Sequence, residues 1–155
     1  MNRETLKNIS AIFIALFILA FVGNTAIKQG NTSIINKKAE TILKLTYEHS
    51  NLKQLETNNI KLAEYMTPEL YAEEFDVNRE VVLVTRYFPF EGSTVQLEIQ
   101  DSATEYLPQK GIYKTIAVFR LSGGTILPEY RTSIMEFNSK KILTNYEEYL
   151  GKIGL

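Results

Sequence analysis

Residues 112–149 read IYKTIAVFRLSGGTILPEYRTSIMEFNSKKILTNYEEY, and within them Ile112 to Leu121, Tyr130 to Phe137 and Ile142 to Tyr149 form three runs rich in β-branched and aromatic residues. Ser122-Gly123-Gly124-Thr125 fills the first gap and the tight Asn138-Ser139-Lys140 turn the second. Such residues reverse a chain because they tolerate left-handed backbone or hydrogen-bond their own main chain. Strands joined by connections this short pair antiparallel, since a parallel pair needs a crossover of a dozen residues or more. This stretch therefore predicts a meander, and the fold class turns on it.

Upstream, Val95, Leu97 and Ile99 alternate with Gln96, Glu98 and Gln100, the period of a strand with one face buried. Glu80 to Phe88, EVVLVTRYF, is apolar on both faces, as a covered strand would be, and Pro89-Phe90-Glu91-Gly92-Ser93 is expected to join it to Val95 as a hairpin. With Pro108-Gln109-Lys110-Gly111 turning into Ile112, the expectation is about five strands.

Before Asp76 the period is helical. Ile35, Ala39, Ile42, Leu45, His49, Leu52 and Leu55 recur at steps of three or four, which predicts one long helix from about Thr32 to Glu56. Thr32 or Ser33 would cap it, and Asn58-Asn59 would break the pattern. In Tyr65-Met66-Thr67-Pro68-Glu69-Leu70-Tyr71, Thr67 suits an N-cap, Pro68 the first turn and Glu69 the positive end of the helix dipole. A further helix is expected from Pro68 to about Phe75.

Further upstream, Ile9 to Ile27 (ISAIFIALFILAFVGNTAI) is nineteen residues without a charge. As a helix it would reach roughly 28 Å, about the thickness of a bilayer's hydrocarbon core. Arg3 and Lys7 precede it, so the positive-inside rule places the leader in the cytoplasm and the remainder outside. The alternative is a cleaved signal peptide, with Asn24 and Ala26 or Phe21 and Gly23 as poor cleavage candidates. The expected organisation is a leader over residues 1–8, a transmembrane anchor over 9–27, a linker over 28–31 and an extracytoplasmic domain over 32–155 of a single-pass cell-membrane protein. The domain's about 125 residues suffice for one core.

The chain has 17 basic and 18 acidic residues; setting aside Arg3, Lys7, Lys28 and Glu4 leaves 14 and 17. A mildly acidic domain without a basic block gives no sign of a nucleic-acid partner. Cysteine is absent, which excludes disulfides, thiolate catalysis and Cys-based metal sites.

The long first helix, the Tyr65-Met66-Thr67-Pro68-Glu69-Leu70 segment opening a short helix, and the strand series ending in Lys140-Lys141-Ile142-Leu143-Thr144-Asn145-Tyr146 together resemble the nuclear transport factor two-like superfamily, across roughly Thr32 to Tyr149. That resemblance implies an α+β domain in which a long helix and short helices pack on a curved antiparallel sheet of about four to five strands, cone-like. The expected hairpin between the early helices is missing, as is the Trp that many members carry near the last strand. A membrane anchor followed directly by such a domain is similar to the inner-membrane scaffold subunits of bacterial type IV secretion and conjugation systems. The similarity implies protein partners or a homo-oligomer, with membrane lipid contacted through residues 9–27.

Some superfamily members isomerise or dehydrate small molecules inside the cone with Asp, Tyr and His. By that resemblance Tyr47, His49, Tyr87 and Tyr113 are candidates for lining a pocket, with Asp101 also in view. His49 is the only histidine and lies on the apolar stripe, where a packed core residue is the simpler expectation; no catalytic constellation, cofactor or metal site is read from the chain. Glu73-Glu74 and Glu147-Glu148 lack the spacing of a calcium loop and read as a solvated helix end and strand edge. Phe88 and Phe90, at the expected hairpin tip, are candidates for an interaction surface. A small-molecule-binding or isomerase-like domain and a pilin-like subunit are the alternatives to a scaffold. The prepilin cleavage signature is not seen.

Overall fold

A computed structural model describes residues 30–92, 94–123 and 127–152. The apolar run over 9–27, with the leader, lies outside the described residues. Among the described residues no helix is long and apolar enough to cross a membrane.

Helix α1 is continuous over 30–47, and Ile35, Ala39, Ile42, Leu43, Thr46 and Tyr47 along it are fully buried. The single helix expected to run to Glu56 is instead two helices. The Glu48 N–H makes the last α-type bond, to the Lys44 carbonyl at 2.8 Å, and Asn51 is extended (φ −156°, ψ 165°). The Asn51 side chain accepts from the Gln54 N–H at 2.9 Å, capping α2 (Leu52–Leu62). Gln54 Nε2 and Asn58 Nδ2 each donate to the Glu48 carbonyl at 3.2 Å, satisfying a group that the end of α1 leaves without an intrahelical partner. Asn58-Asn59, expected to break the helix, lies inside α2, where buried Asn59 donates to the Phe75 carbonyl.

Helix α3 (Pro68–Leu70) begins where Thr67 accepts from the Leu70 N–H, with Pro68 and Glu69 in its first turn, and continues as a wide π turn over Tyr71–Phe75 before Asp76 turns extended. This segment follows the expectation.

Glu80 to Phe88 does not. It forms α4 (Glu80–Val82), a π turn over Leu83–Tyr87 and a 3-10 turn over Phe88–Phe90. Val82, Arg86 and Phe90, four apart, are buried, whereas Val81, Val84 and Phe88 on the other side are exposed. A run apolar at consecutive positions fits either a covered strand or a half-buried helix, and tertiary context overrides β-propensity. The hairpin therefore does not form. Phe90, expected at an exposed tip, is 1% exposed and belongs to the core, while Phe88 is 55% exposed.

Among the described residues the sheet has four strands rather than five: β1 (Gln96–Leu107), β2 (Ile112–Ser122), β3 (Glu129–Phe137) and β4 (Leu143–Leu150), all antiparallel in the order β1-β2-β3-β4. Register places Leu97, Thr104 and Tyr106 of β1 beside Leu121, Thr115 and Tyr113 of β2, and Phe119, Thr115 and Tyr113 beside Arg131, Met135 and Phe137 of β3. These residues share the helix-covered face. Tyr65 and Thr67 bond Leu143 at 2.8 and 3.0 Å, covering the start of β4.

Helix α1 lies across that face. Tyr47 packs its ring 5.5 Å from Phe119, and Asn36 joins helix to sheet by donating to Ser102 Oγ at 2.8 Å and accepting from Thr104 Oγ1 at 2.7 Å. The architecture is α+β, with one sheet face packed by helices. Because Phe90 is a fully buried aromatic, Phe90→Ala should lower stability by about 3–4 kcal/mol in urea titration. A change under about 1 kcal/mol would show that the residue is not part of the core.

Candidate functional site

A cleft of about 610 Å³ opens between the α4 segment and the ends of β3 and β4, with Tyr47, Arg86, Arg131, Tyr146 and Glu148 among its lining residues. Strand alternation delivers three of them. Arg131 pairs with Leu150 and Ser133 with Glu148, so Arg131 and Glu148 are diagonal neighbours on the helix-covered face, with Tyr146 two positions earlier. Tyr47 arrives as the last residue of α1, and Arg86 from the buried row of the π turn.

Glu148 organises the cleft. Its Oε2 accepts from the Tyr47 and Tyr146 hydroxyls, the latter at 2.6 Å, and its Oε1 from Arg131 Nη1 at 2.6 Å. Arg131 Nη1 also reaches the Tyr47 hydroxyl at 3.2 Å, and Nε and Nη2 engage Glu129. Arg131 thus stands between two carboxylates. Burial, reinforced by the Glu148 charge, pushes the Tyr47 and Tyr146 phenols well above the ordinary tyrosine value, so both remain hydrogen-bond donors at neutral pH.

Arg86 is buried. Its Nη1 donates to the Glu74 carbonyl, its Nη2 is 3.9 Å from Glu74 Oε2, and its guanidinium lies 4.3 Å from the Phe75 ring centre and 5.5 Å from that of Tyr146. A guanidinium stacks on aromatic faces while its edge donates, which suits this residue type to the position. The polar groups of the cleft chiefly satisfy one another. Among the described residues no group of three or more Asp, Glu or His could hold a metal ion.

Of the residues proposed to line a pocket, only Tyr47 meets this cleft. His49 and Tyr87 stack on each other with centroids 6.2 Å apart, and His49 lines a separate concavity with Ser50 and Val95. His49 is buried, and its Nε2 donates to the Arg86 carbonyl at 2.9 Å, which assigns the proton to that nitrogen because a carbonyl only accepts. Desolvation holds its pKa below the ordinary 6.5. Tyr113 sits six positions along β2 from Phe119 in the core cluster, its ring tilted against that of Tyr106 with centroids 4.8 Å apart. The structure does not bring these four residues together.

Arg86, Arg131, Tyr146 and Glu148 were missed from the sequence. The pair Glu147-Glu148, expected to be solvated, divides: Glu147 is exposed, and Glu148 keeps an 18% exposed side chain with three donors. The period-two pattern of Asn145 to Leu150 already assigns Tyr146 and Glu148 to one face and Glu147 and Tyr149 to the other. Comparison with protein-family models, curated proteins and solved structures finds no match.

Two outcomes follow from these contacts. Glu148→Ala leaves two hydroxyls and one arginine N–H of a buried network without their acceptor, and should cost about 3 kcal/mol in urea titration; a loss below about 1 kcal/mol would refute the organising role. His49 binds fewer protons folded than unfolded, so its contribution to stability is present above pH 6.5 and falls as pH drops through the depressed folded value. Relative to wild type, His49→Asn should show a smaller loss of stability between pH 7.5 and 5.5, and an equal loss would contradict it.

Proposed function

We propose that this chain is a membrane-tethered docking module: residues 9–27 hold the α+β domain at the outer face of a bilayer, and the domain presents an apolar surface to a protein partner. The observation that carries this reading is the row Val81, Val84 and Phe88, spaced by three and four on one helical side and 62%, 53% and 55% exposed. Of this row Val81 lines the cleft, and across the cleft from it Leu150 is 76% and Tyr149 41% exposed. Exposed apolar side chains of this size set in one row are the usual mark of a surface that another molecule covers.

The sequence layout supports the tether, because an uncharged run of nineteen residues precedes a domain with no cysteine. It also supports a cone-like domain of the kind found in inner-membrane scaffold subunits of secretion and conjugation machines. In such an assembly the domain acts by position, concentrating a binding surface next to one membrane.

Photo-crosslinking in intact membranes tests this. A crosslinker at Val84 of the full chain should capture a protein partner that one at Lys114 does not, and Val84→Asp with Phe88→Asp should abolish the capture while the melting temperature stays within about 3 °C. Equal capture from both positions would refute the docking surface. A mature chain beginning near Ile27 would refute the tether.

A further inference from the structure

Strand β4 is a sheet edge whose outer side faces the cleft. Among the described residues it pairs only with β3, and the short bridge from Tyr65 and Thr67 ends at Leu143. The Gly151 N–H points back to the Tyr130 carbonyl at 2.7 Å. Main-chain groups alternate in direction along a strand. The N–H and C=O groups of Tyr146, Glu148 and Leu150 therefore point the other way, away from β3 and toward the cleft wall formed by Val81, Thr85 and Pro89. From Tyr146 to Leu150 this edge spans about 13 Å, at about 3.3 Å per residue.

Edges are ordinarily blunted by lysine, proline or a bulge. At the opposite edge β1 is bulged in mid-strand, between Ile99 and Asp101. The stretch Tyr146–Leu150 has no lysine or proline, and the irregularity of β4 lies at its other end, opposite Glu136 and Phe137. Among the described residues this edge is open, and it is regular, where the cleft adjoins it.

Charge identifies the occupant. Arg131 is matched by Glu129 and Glu148, and Arg86 by Glu74. Glu147 has only the Tyr149 hydroxyl at 2.5 Å and the Asn145 amide at 3.1 Å as hydrogen-bond partners, and among the described residues no lysine or arginine lies within salt-bridge distance of it, although Lys114 contributes electrostatically. A second copy pairing β4 with β4 would bring Glu147 and Glu148 of the two chains together, which like-charge repulsion disfavours. A basic strand meets the same row favourably.

We infer that the cleft takes an extended basic segment of a partner protein as a fifth strand on β4, with alternate apolar side chains set against Leu150, Val81 and Pro89 and the intervening lysines or arginines beside Glu147. The inference rests on the docking reading above and adds to it the main-chain geometry and the chemistry of the partner. Backbone bonds supply affinity and the two side-chain faces supply selectivity, as in strand addition generally.

The test uses the full chain in detergent and four capped heptapeptides as probes: alternating Val and Lys, alternating Val and Glu, and two forms of the Val–Lys peptide, each N-methylated at one of the two alternate sets of amides. The Val–Lys peptide should bind, weaken with salt, lose binding when one alternate set is methylated and keep it when the other is. The Val–Glu peptide should not bind. Glu147→Lys, at an exposed position, should weaken the Val–Lys peptide about fivefold or more and admit the Val–Glu peptide. Equal binding of both peptides, or indifference to methylation of either set, overturns strand addition. If neither peptide binds while Val84 still captures its partner in membranes, strand addition fails and the docking surface stands; if Val84 captures nothing while the Val–Lys peptide binds with the stated pattern, the reverse holds.

Discussion

One face of a four-stranded sheet must be kept from water, and in this domain α1 is the principal element that does so. Ile35, Ala39, Ile42, Leu43 and Tyr47 are all fully buried, and they meet the row of Phe119, Met135 and Phe137 that the antiparallel register aligns on that face. Each such side chain contributes about 1.5–3 kcal/mol by leaving water. The short helices fill what α1 leaves open, with Leu70, Phe75 and Phe90 joining the same core. Without the helix the sheet would expose its apolar face, and without the sheet the stripe of α1 would have no partner.

Where α1 ends, packing gives way to polar contacts. The stripe finishes at Tyr47, whose ring stays in the core against Phe119 while its hydroxyl meets Glu148. A half-buried carboxylate is costly unless its lone pairs are occupied, and Tyr47, Tyr146 and Arg131 occupy them from a helix and two strands. Arg86 meets the same requirement differently, donating to the Glu74 carbonyl while stacking on Phe75. The cleft walls are therefore tied together by charge as well as by area, and the apolar residues around the rim are left facing solvent.

The two edges of the sheet differ in the same way. β1 carries a bulge in mid-strand, whereas the end of β4 beside the cleft is regular. A fold that leaves both an apolar helical row and a regular strand edge beside one cavity has gathered the features of a binding surface in one place.

Much of the domain was legible as sequence. The three strands from Ile112 to Tyr149, their antiparallel connections and the helix opened by Thr67-Pro68 follow from local patterns, because turn residues, caps and period-two alternation act within a few residues of themselves. Two local readings gave way to tertiary context. The apolar steps through His49 and Leu52 continue the helical period, yet Asn51 caps a new helix there and packing resets the phase. EVVLVTRYF suits a strand or a helix equally, and Phe90 and Arg86 find their burial only when the segment coils so that positions four apart face the core. The cleft belongs wholly to the tertiary structure. Its alternation within β4 was visible, but Tyr47, Arg86, Arg131 and Glu148 are separated by up to 101 residues, and only sheet register and the length of α1 bring their atoms within hydrogen-bond reach. Sequence by itself determined the three strands from Ile112 to Tyr149, the helix start at Thr67-Pro68 and the uncharged run upstream; packing decided where the first helix ends, whether Glu80 to Phe88 coils, and which polar side chains share a cavity, because burial and pairing are properties of the surroundings rather than of any residue.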